Sequence, residues 1–275
     1  MFGLIRSGMV TAMKELQVVS NNIANSGSTA FRKSDISFSD IYSQTVSGSA
    51  AGSQLGSGAS VASVRMSDTQ GGMIEREGPL NLAIAGNGYF VLSPNSAADA
   101  EITERHFTRN GEFTLDADGY LRSSNNSFVL GASNTLTEGA APALTRIQIA
   151  QSKLIGDDTQ AALTAVRVSS DGTVSATYGA DNIEKLYTIS LATFPNKTGL
   201  KNLGGSVFVS SDTSGEPQIA SAETAGLGSI MSGMLEGSNV DITSEMTAMI
   251  RSQQQFNGAA RLLQTNADMI EKLTR

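Results

Sequence analysis

The chain has 275 residues, 40% hydrophobic and 16% charged, with a net charge of −7, one His, no Cys and no Trp. Without Cys, disulfides, thiolate metal sites and thiol nucleophiles are excluded together, and a single His excludes a multi-His zinc site. The acidic balance opposes the attraction that dominates non-specific nucleic-acid binding. No run approaches about 18 consecutive apolar residues, so neither nucleic acid nor membrane insertion is expected. The length fits one elongated domain or two compact ones. Aromatics are only 5% while Ser and Gly are abundant, which predicts a core that is thin, spread out or shared with neighbours. The opening MFGLIRSGMVTAMKE lacks the sustained apolar stretch of a secretory signal, and by the ordinary rules the chain reads as cytoplasmic.

Near the N-terminus, Ile5, Met9, Ala12, Leu16, Val19 and Ile23 alternate four and three apart, the spacing of a coiled-coil seam. The spacing predicts a helix over residues 4–25. Asn21, Asn22, Asn25, Ser26 and Gly27 then bring low helix propensity and turn chemistry, and should end it. Residues 43–63, rich in Ser, Gly and Ala, bury little apolar area and read as a flexible connector.

The middle is β-rich. Leu80, Leu82 and Ile84 alternate, Gly86-Asn87-Gly88 breaks the run, and residues 89–92 resume it, which predicts a hairpin. HFTRNGEFTLDADGYLRSS predicts two more turns between period-two strands, at Asn110-Gly111 and Ala117-Asp118-Gly119. Strands are also expected at 145–149, 164–169, 174–178, 187–194 and 207–210, with turns at Asp171-Gly172 and 196–199. Such short strands suggest a sandwich, barrel or rolled sheet. Residues 211–232 read as a second loose connector.

At the C-terminus, Ile242, Met246, Met249, Gln253, Phe256, Ala260, Leu263, Ala267 and Ile270 repeat the seam spacing. Asp241 is a candidate N-cap, with Thr243 or Ser244 as competitors. A helix over 241–273 would be about 50 Å long, too long for a compact domain of this size. Arg251, Gln254, Asn257, Arg261 and Asn266 occupy the opposite face. One apolar stripe ordinarily packs on its own core. Two strict stripes at opposite ends, with nothing helical between, pair more simply with each other or with those of other copies. Gln253 either sets the register of such a seam or is a tolerated polar defect. The expected fold class is therefore α+β: N- and C-terminal helices pair as a coiled-coil-like layer (1–30 and 236–275), an extended connector follows (31–77), and a central all-β domain spans 78–235.

Motifs for chemistry mostly fail. Gly86-Asn87-Gly88 lacks the third glycine of a dinucleotide loop, since residue 91 is Val, and a strand follows it. The calcium-loop hint at Asp116-Ala-Asp118-Gly119 has Ser127 where a bidentate acid is needed. His106 has no nucleophile elbow to serve. The acid pairs Glu75/Glu77 and Asp157/Asp158 lie in polar, turn-like sequence, and the phosphate-loop signature is absent. No catalytic residue, metal site or cofactor is expected.

Val19-Ser-Asn-Asn-Ile-Ala-Asn25 followed by Ser28-Thr-Ala-Phe-Arg-Lys33 resembles the N-terminal signature of bacterial flagellar rod and hook proteins. The stretches GPLNLAIAGNGYFVL (78–92) and FTRNGEFTLDADGYL (107–121) are similar to that family's central β motifs, and LEGSNVDITSEM (235–246) with IRSQQQF (250–256) to its C-terminal signature. The resemblance implies a non-enzymatic subunit of the flagellar axial tube, exported uncleaved through the flagellar type III machinery. Its helices would line the channel, and its partners would be other copies and adjacent axial proteins. The two seams, with Asn21, Asn22 and Asn25 at the helix exit, are the candidate subunit interface. Terminal helices without a partner would order on assembly. Residues 56–64 and 191–200 look more like a hook protein than a rod protein, so a short hook subunit is the reading preferred here. A distal or proximal rod protein is the alternative. A secreted β-rich adhesin and a β-sheet hydrolase are the readings from other classes.

Overall fold

A computed structural model describes residues 2–42, 56–94, 104–133, 144–155, 159–179 and 182–274, which form two compact units. The first comprises Met1–Gly27, Arg32–Ser67 and Asn239–Arg275. It contains helix α1 (Phe2–Ala24), strands β1 (Ser34–Tyr42) and β2 (Gly56–Met66), and the C-terminal helix Ile242–Thr274. α1 ends where the Asn-rich stretch was expected to end it: Asn25 Nδ2 donates to the Asn21 carbonyl (2.9 Å) and Ser26 Oγ to that of Ile23 (2.8 Å), side-chain bonds that reinforce the backbone N–H bonds the same carbonyls accept from Asn25 and Ser26. The C-terminal helix starts at its expected cap, Asp241, whose Oδ1 accepts from the N–H groups of Thr243 (2.9 Å) and Ser244 (3.3 Å). Thr243 and Ser244, the competing caps, are inside the helix.

β1 and β2 pair antiparallel, and α1 packs on both. The expectation of a flexible connector over 43–63 is thereby corrected for residues 56–63, which lie in β2; residues 43–55 lie outside the described residues. The physical reason is close approach. At Gly58 (φ +121°) a Cβ would stand 2.2 Å from Ser7 Oγ, so low side-chain bulk here lets the strand approach the helix.

The second unit, Ser28–Phe31 with Asp68–Ser238, is built from strands. In chain order they are β3 (Met73–Glu75), β4 (Leu82–Ala85), β5 (Tyr89–Ser93), β6 (His106–Thr108), β7 (Phe113–Leu115), β8 (Leu121–Ser123), β9 (Phe128–Ser133), β10 (Leu144–Arg146), β11 (Ser152–Ile155), β12 (Thr159–Val168), β13 (Thr173–Tyr178), β14 (Asn182–Thr193), β15 (Lys201–Gly204), β16 (Val207–Val209), β17 (Gln218–Ser221), β18 (Ser229–Ser232) and β19 (Met234–Glu236). A large antiparallel sheet runs β11-β12-β13-β14-β9-β5-β6-β16-β15, with β8 and β10 on β9, β7 on β8 and β17 on β14. β4 pairs with β18, and β3 with β19. Leu82, Ile84, Phe90, Leu92, Leu121, Val129, Ile147, Val174, Ile189 and Leu191 are buried in its core, where Phe90 meets Phe113 edge-on at 5.1 Å.

Two expected hairpins are corrected. Residues 82–85 and 89–92 do not pair with each other: β4 goes to β18, while β5 goes to β6, β9 and β14. Gly86-Asn87-Gly88 is instead a crossing between sheets, held open because Arg109 Nε donates to the Gly88 carbonyl (2.8 Å) and Gly228 N–H to that of Asn87 (2.7 Å). Likewise β6 does not pair with β7. At Asn110-Gly111 the chain turns a corner at which Leu82 N–H donates to the Gly111 carbonyl (3.0 Å). The third turn closes the β7–β8 hairpin as expected, with Gly119 at φ +80°. Residues 211–232, read as a loose connector, contain β17 and β18, each paired.

Candidate assembly surface

The C-terminal helix, Ile242–Thr274, is α2, and α1 and α2 pack against each other. Asn22, in the last turns of α1, meets Glu245, in the first turn of α2, so the two run antiparallel. Counting from that pair, Phe2 lies opposite Thr265, and residues 267–274 of α2 extend past the start of α1, every one of them exposed.

On α1 the expected seam faces inward. Ala12 and Val19 are buried, and Ile5, Met9, Leu16 and Ile23 are half-buried. Of the helix-exit residues, Asn22 is buried, Asn25 half-buried and Asn21 exposed. On α2 the expected seam divides between the face packed on α1 and the exposed surface. Met249, Phe256, Ala260 and Leu263 are half-buried, but Ile242, Met246, Gln253, Ala267 and Ile270 are exposed. The inward row is Glu245, Met249, Ser252, Phe256, Ala259, Leu263 and Asn266, which keeps the four-three spacing on a neighbouring face. An apolar template selects Ile242 and Met246 over a row that contains Glu, Ser and Asn. The signal for the inward row was Ser252 and Ala259, small residues that allow close helix approach. Gln253 is exposed and sets no register within the chain.

The polar members of that row are satisfied. Asn22 (1% exposed) spans the backbone of Ser34, accepting from its N–H (3.0 Å) and donating to its carbonyl (3.0 Å), and also donates to Glu245 Oε2 (3.1 Å). Lys33 Nζ lies 3.9 Å from Glu245 Oε1 and 3.2 Å from Asp35, while Lys33 N–H donates to Asn239 Oδ1 (2.7 Å). Ser252, fully buried, returns its hydroxyl to the Ala248 carbonyl (3.0 Å). Sequence reasoning listed Asn22 but missed Glu245, Lys33 and Ser34, because nothing in their spacing links them. Exposed apolar side chains remain on the outer surfaces: Ile242, Met246, Ile250, Leu262, Met269 and Leu273 of α2, and Phe2, Leu4, Val10 and Met13 of α1. Exposed apolar side chains on two helices are candidates for burial by another chain.

Elsewhere, His106 lines an open depression of about 840 Å³ with Glu104, Arg105, Asp212 and Glu216. Asp116 pairs with Arg122 at 2.7 Å, and Glu75 and Glu77 are exposed. Asp157 and Asp158 lie outside the described residues. Among the described residues no group of three or more His, Asp or Glu is placed to hold a metal ion, and no helix is long and apolar enough to cross a membrane.

Residues 231–275 match the family model described as flagellar basal body rod FlgEFG protein C-terminal, and residues 83–176 that of the flagellar hook protein FlgE/F/G D1 domain. The flagellar basal-body rod protein FlgG of Bacillus subtilis is 30% identical over 97% of this chain and 95% of its own length. That of Agrobacterium fabrum is 28% identical over 96% and 94%. The flagellar hook protein FlgE of Brucella suis is 32% identical, but over 44% of this chain and 30% of its own. A likeness that holds along nearly the whole length, through both helices and the sheet between them, makes the chain a member of the bacterial flagellar rod and hook family of structural proteins.

Proposed function

We propose that the chain is a basal-body rod subunit of the distal-rod type, polymerising with its own copies and adjoining axial proteins to carry motor torque. The rod alternative is favoured over the short hook protein: the rod relatives align over almost the entire chain, whereas the hook relative aligns over less than half of it. Residues 56–64 and 191–200, which suggested a hook, do not outweigh that coverage. Membership of the family means residence in the flagellum, at the basal body or hook. Export by the type III flagellar machinery and a non-enzymatic role belong to the same proposal.

The observation that carries it is the doubled use of α2. One face packs on α1, and a second, with Ile242, Met246 and Ile250 exposed, has no counterpart among the described residues. In the tube α1 and α2 form a coiled-coil-like inner layer; the expected boundaries (1–30 and 236–275, 31–77, 78–235) shift, because residues 32–67 belong with the helices and residues 28–31 and 68–238 form the β unit. The exposed members of the two seams supply inter-subunit contacts, and the inward members supply the pairing within a subunit. A surface that joins unlike patches without closing generates a helical filament. Electron microscopy tests this on full-length protein, on a chain lacking residues 1–25 and 240–275, and on Met246→Gln/Ile250→Gln. Tubes from the full-length chain alone are expected. Tubes from the truncated chain, or from the double variant at wild-type yield, would refute the assignment of the surface.

A further inference from the structure

The chain passes between its two units at four points, after Gly27, Phe31, Ser67 and Ser238. Within the β unit, the segments flanking these points converge on one residue, through its backbone and its side chain. Glu236, shortly before the last crossing, is 1% exposed. Its carbonyl accepts from Ala30 N–H (2.8 Å), in the short segment Ser28–Phe31. Its Oε1 accepts from Gly71 N–H (3.1 Å), just after the third crossing, and its Oε2 meets Arg109 Nη1 at 2.9 Å. A Cβ at position 71 would stand 2.1 Å from the Gly237 carbonyl, so only glycine brings that amide so near.

Arg109, itself buried, is rooted deeper. It donates Nε to the Gly88 carbonyl (2.8 Å) and Nη2 to that of Gly86, and its guanidinium lies 5.5 Å from the centre of the Tyr89 ring. Tyr89 packs edge-on against Phe194 and Phe208, both at 6.0 Å. By contrast, the β3–β19 ladder that otherwise holds the exit segment is two strands of three residues each. A two-stranded ladder is marginal alone. A buried ion pair is a poor way to add equilibrium stability compared with apolar packing. It does supply short, directional bonds from one point to several segments.

We propose that Glu236, rooted by Arg109, is the mechanical anchor of the β unit. Load arriving along the chain from the terminal helices is taken up at Glu236 and passed to the sheet core through Arg109, before it can peel β19 from β3. The proposal rests on the rod reading for the origin of the load, but its test uses single chains. Because the chain has no Cys, one Cys at each of the exposed positions Gln264 and Asn202 attaches handles to the full-length protein for constant-force measurement. Glu236→Gln should shorten the lifetime of the β unit under load about tenfold and speed exchange of the Ala30 and Gly71 amides by a similar factor, leaving that of Leu130 unchanged. Arg109→Met/Glu236→Gln removes both charges and keeps an acceptor for Gly71. It also leaves the buried Gly88 carbonyl without its Arg109 donor, so the urea midpoint should fall, but lifetime under load should fall by a larger factor. Lifetimes within about twofold of wild type in both variants, or a loss of lifetime matched by an equal loss of urea stability, would overturn the anchor. Absence of tubes in the microscope would overturn the rod reading and leave the anchor standing.

Discussion

Asn22 offers a sharp test because its amide is read at both ends. Asn22→Leu removes two bonds to Ser34 and one to Glu245. At about 1 kcal/mol for each neutral bond and about 1.5–3 kcal/mol for the charge-assisted one, the loss would be roughly 3–5 kcal/mol. Ser34 is half-buried, so water recovers part of this, and about 2–4 kcal/mol is expected. Asn22→Asp has nearly the same shape but turns a carboxylate oxygen toward Glu245 Oε2 at the 3.1 Å now spanned by a hydrogen bond. At an effective dielectric of about 20, repulsion between the two charges is of order 5 kcal/mol. At neutral pH Asn22→Asp should therefore be the less stable of the two. In acid one of the paired carboxyls takes up a proton and donates to the other, so the order should reverse. The assay is urea unfolding followed by helix ellipticity, at protein concentrations low enough to keep the chain monomeric. Equal stabilities at neutral pH, or an order that does not change on acidification, would refute the reasoning.

Gly111→Ala would place a Cβ 1.7 Å from the Leu82 carbonyl oxygen; since backbone must move, unit-wide destabilisation of at least ~3 kcal/mol is expected, read as a lowered urea midpoint of the sheet. Gly58→Ala meets only the end of the Ser7 side chain but also forces a side chain at φ +121°. It should cost about 1–2 kcal/mol, and Ser7→Ala should restore the steric part and not the backbone part when the double variant is melted. The Tyr178 phenol, which donates to the Ala150 carbonyl at 2.9 Å, is pushed above the ordinary value by burial and then by the Glu184 carboxylate. Its contribution to stability is complete below about pH 10 and is lost as pH rises through the folded-state value. Ultraviolet titration of Tyr178→Phe should lack one tyrosine step above the ordinary value that the wild type shows, and the variant should lose the alkaline fall in stability tied to it.

The helices were legible because their signals are local. Asp241 as a cap and Asn25-Ser26-Gly27 as a stop act within one turn of chain, and the α1 seam is apolar throughout. The row of α2 that packs on α1 was not legible because both faces of the helix carry apolar residues, and the packed one also includes Glu245 and Ser252. Apolar spacing alone cannot distinguish a face buried by its own chain from one left to a neighbour. In the sheet, the alternation of 80–92 revealed strands but not their partners. β4 finds β18 well over a hundred residues away, and the choice depends on Arg109 and Gly228 reaching into the intervening turn. The bond from Glu236 to Gly71 spans 165 residues and that from Asn22 to Ser34 only 12, yet no motif spacing announces either.

The eight exposed residues at the end of α2 form a cantilever. Packing contributes little to a projecting helical end, so its order depends on intrinsic propensity, which is marginal for two turns in water. Its helicity therefore responds to whatever covers Ile270 and Leu273. Amide exchange along 267–274 would act as a gauge of occupancy: rapid in a solitary chain, and slow at each position that a neighbouring surface has reached.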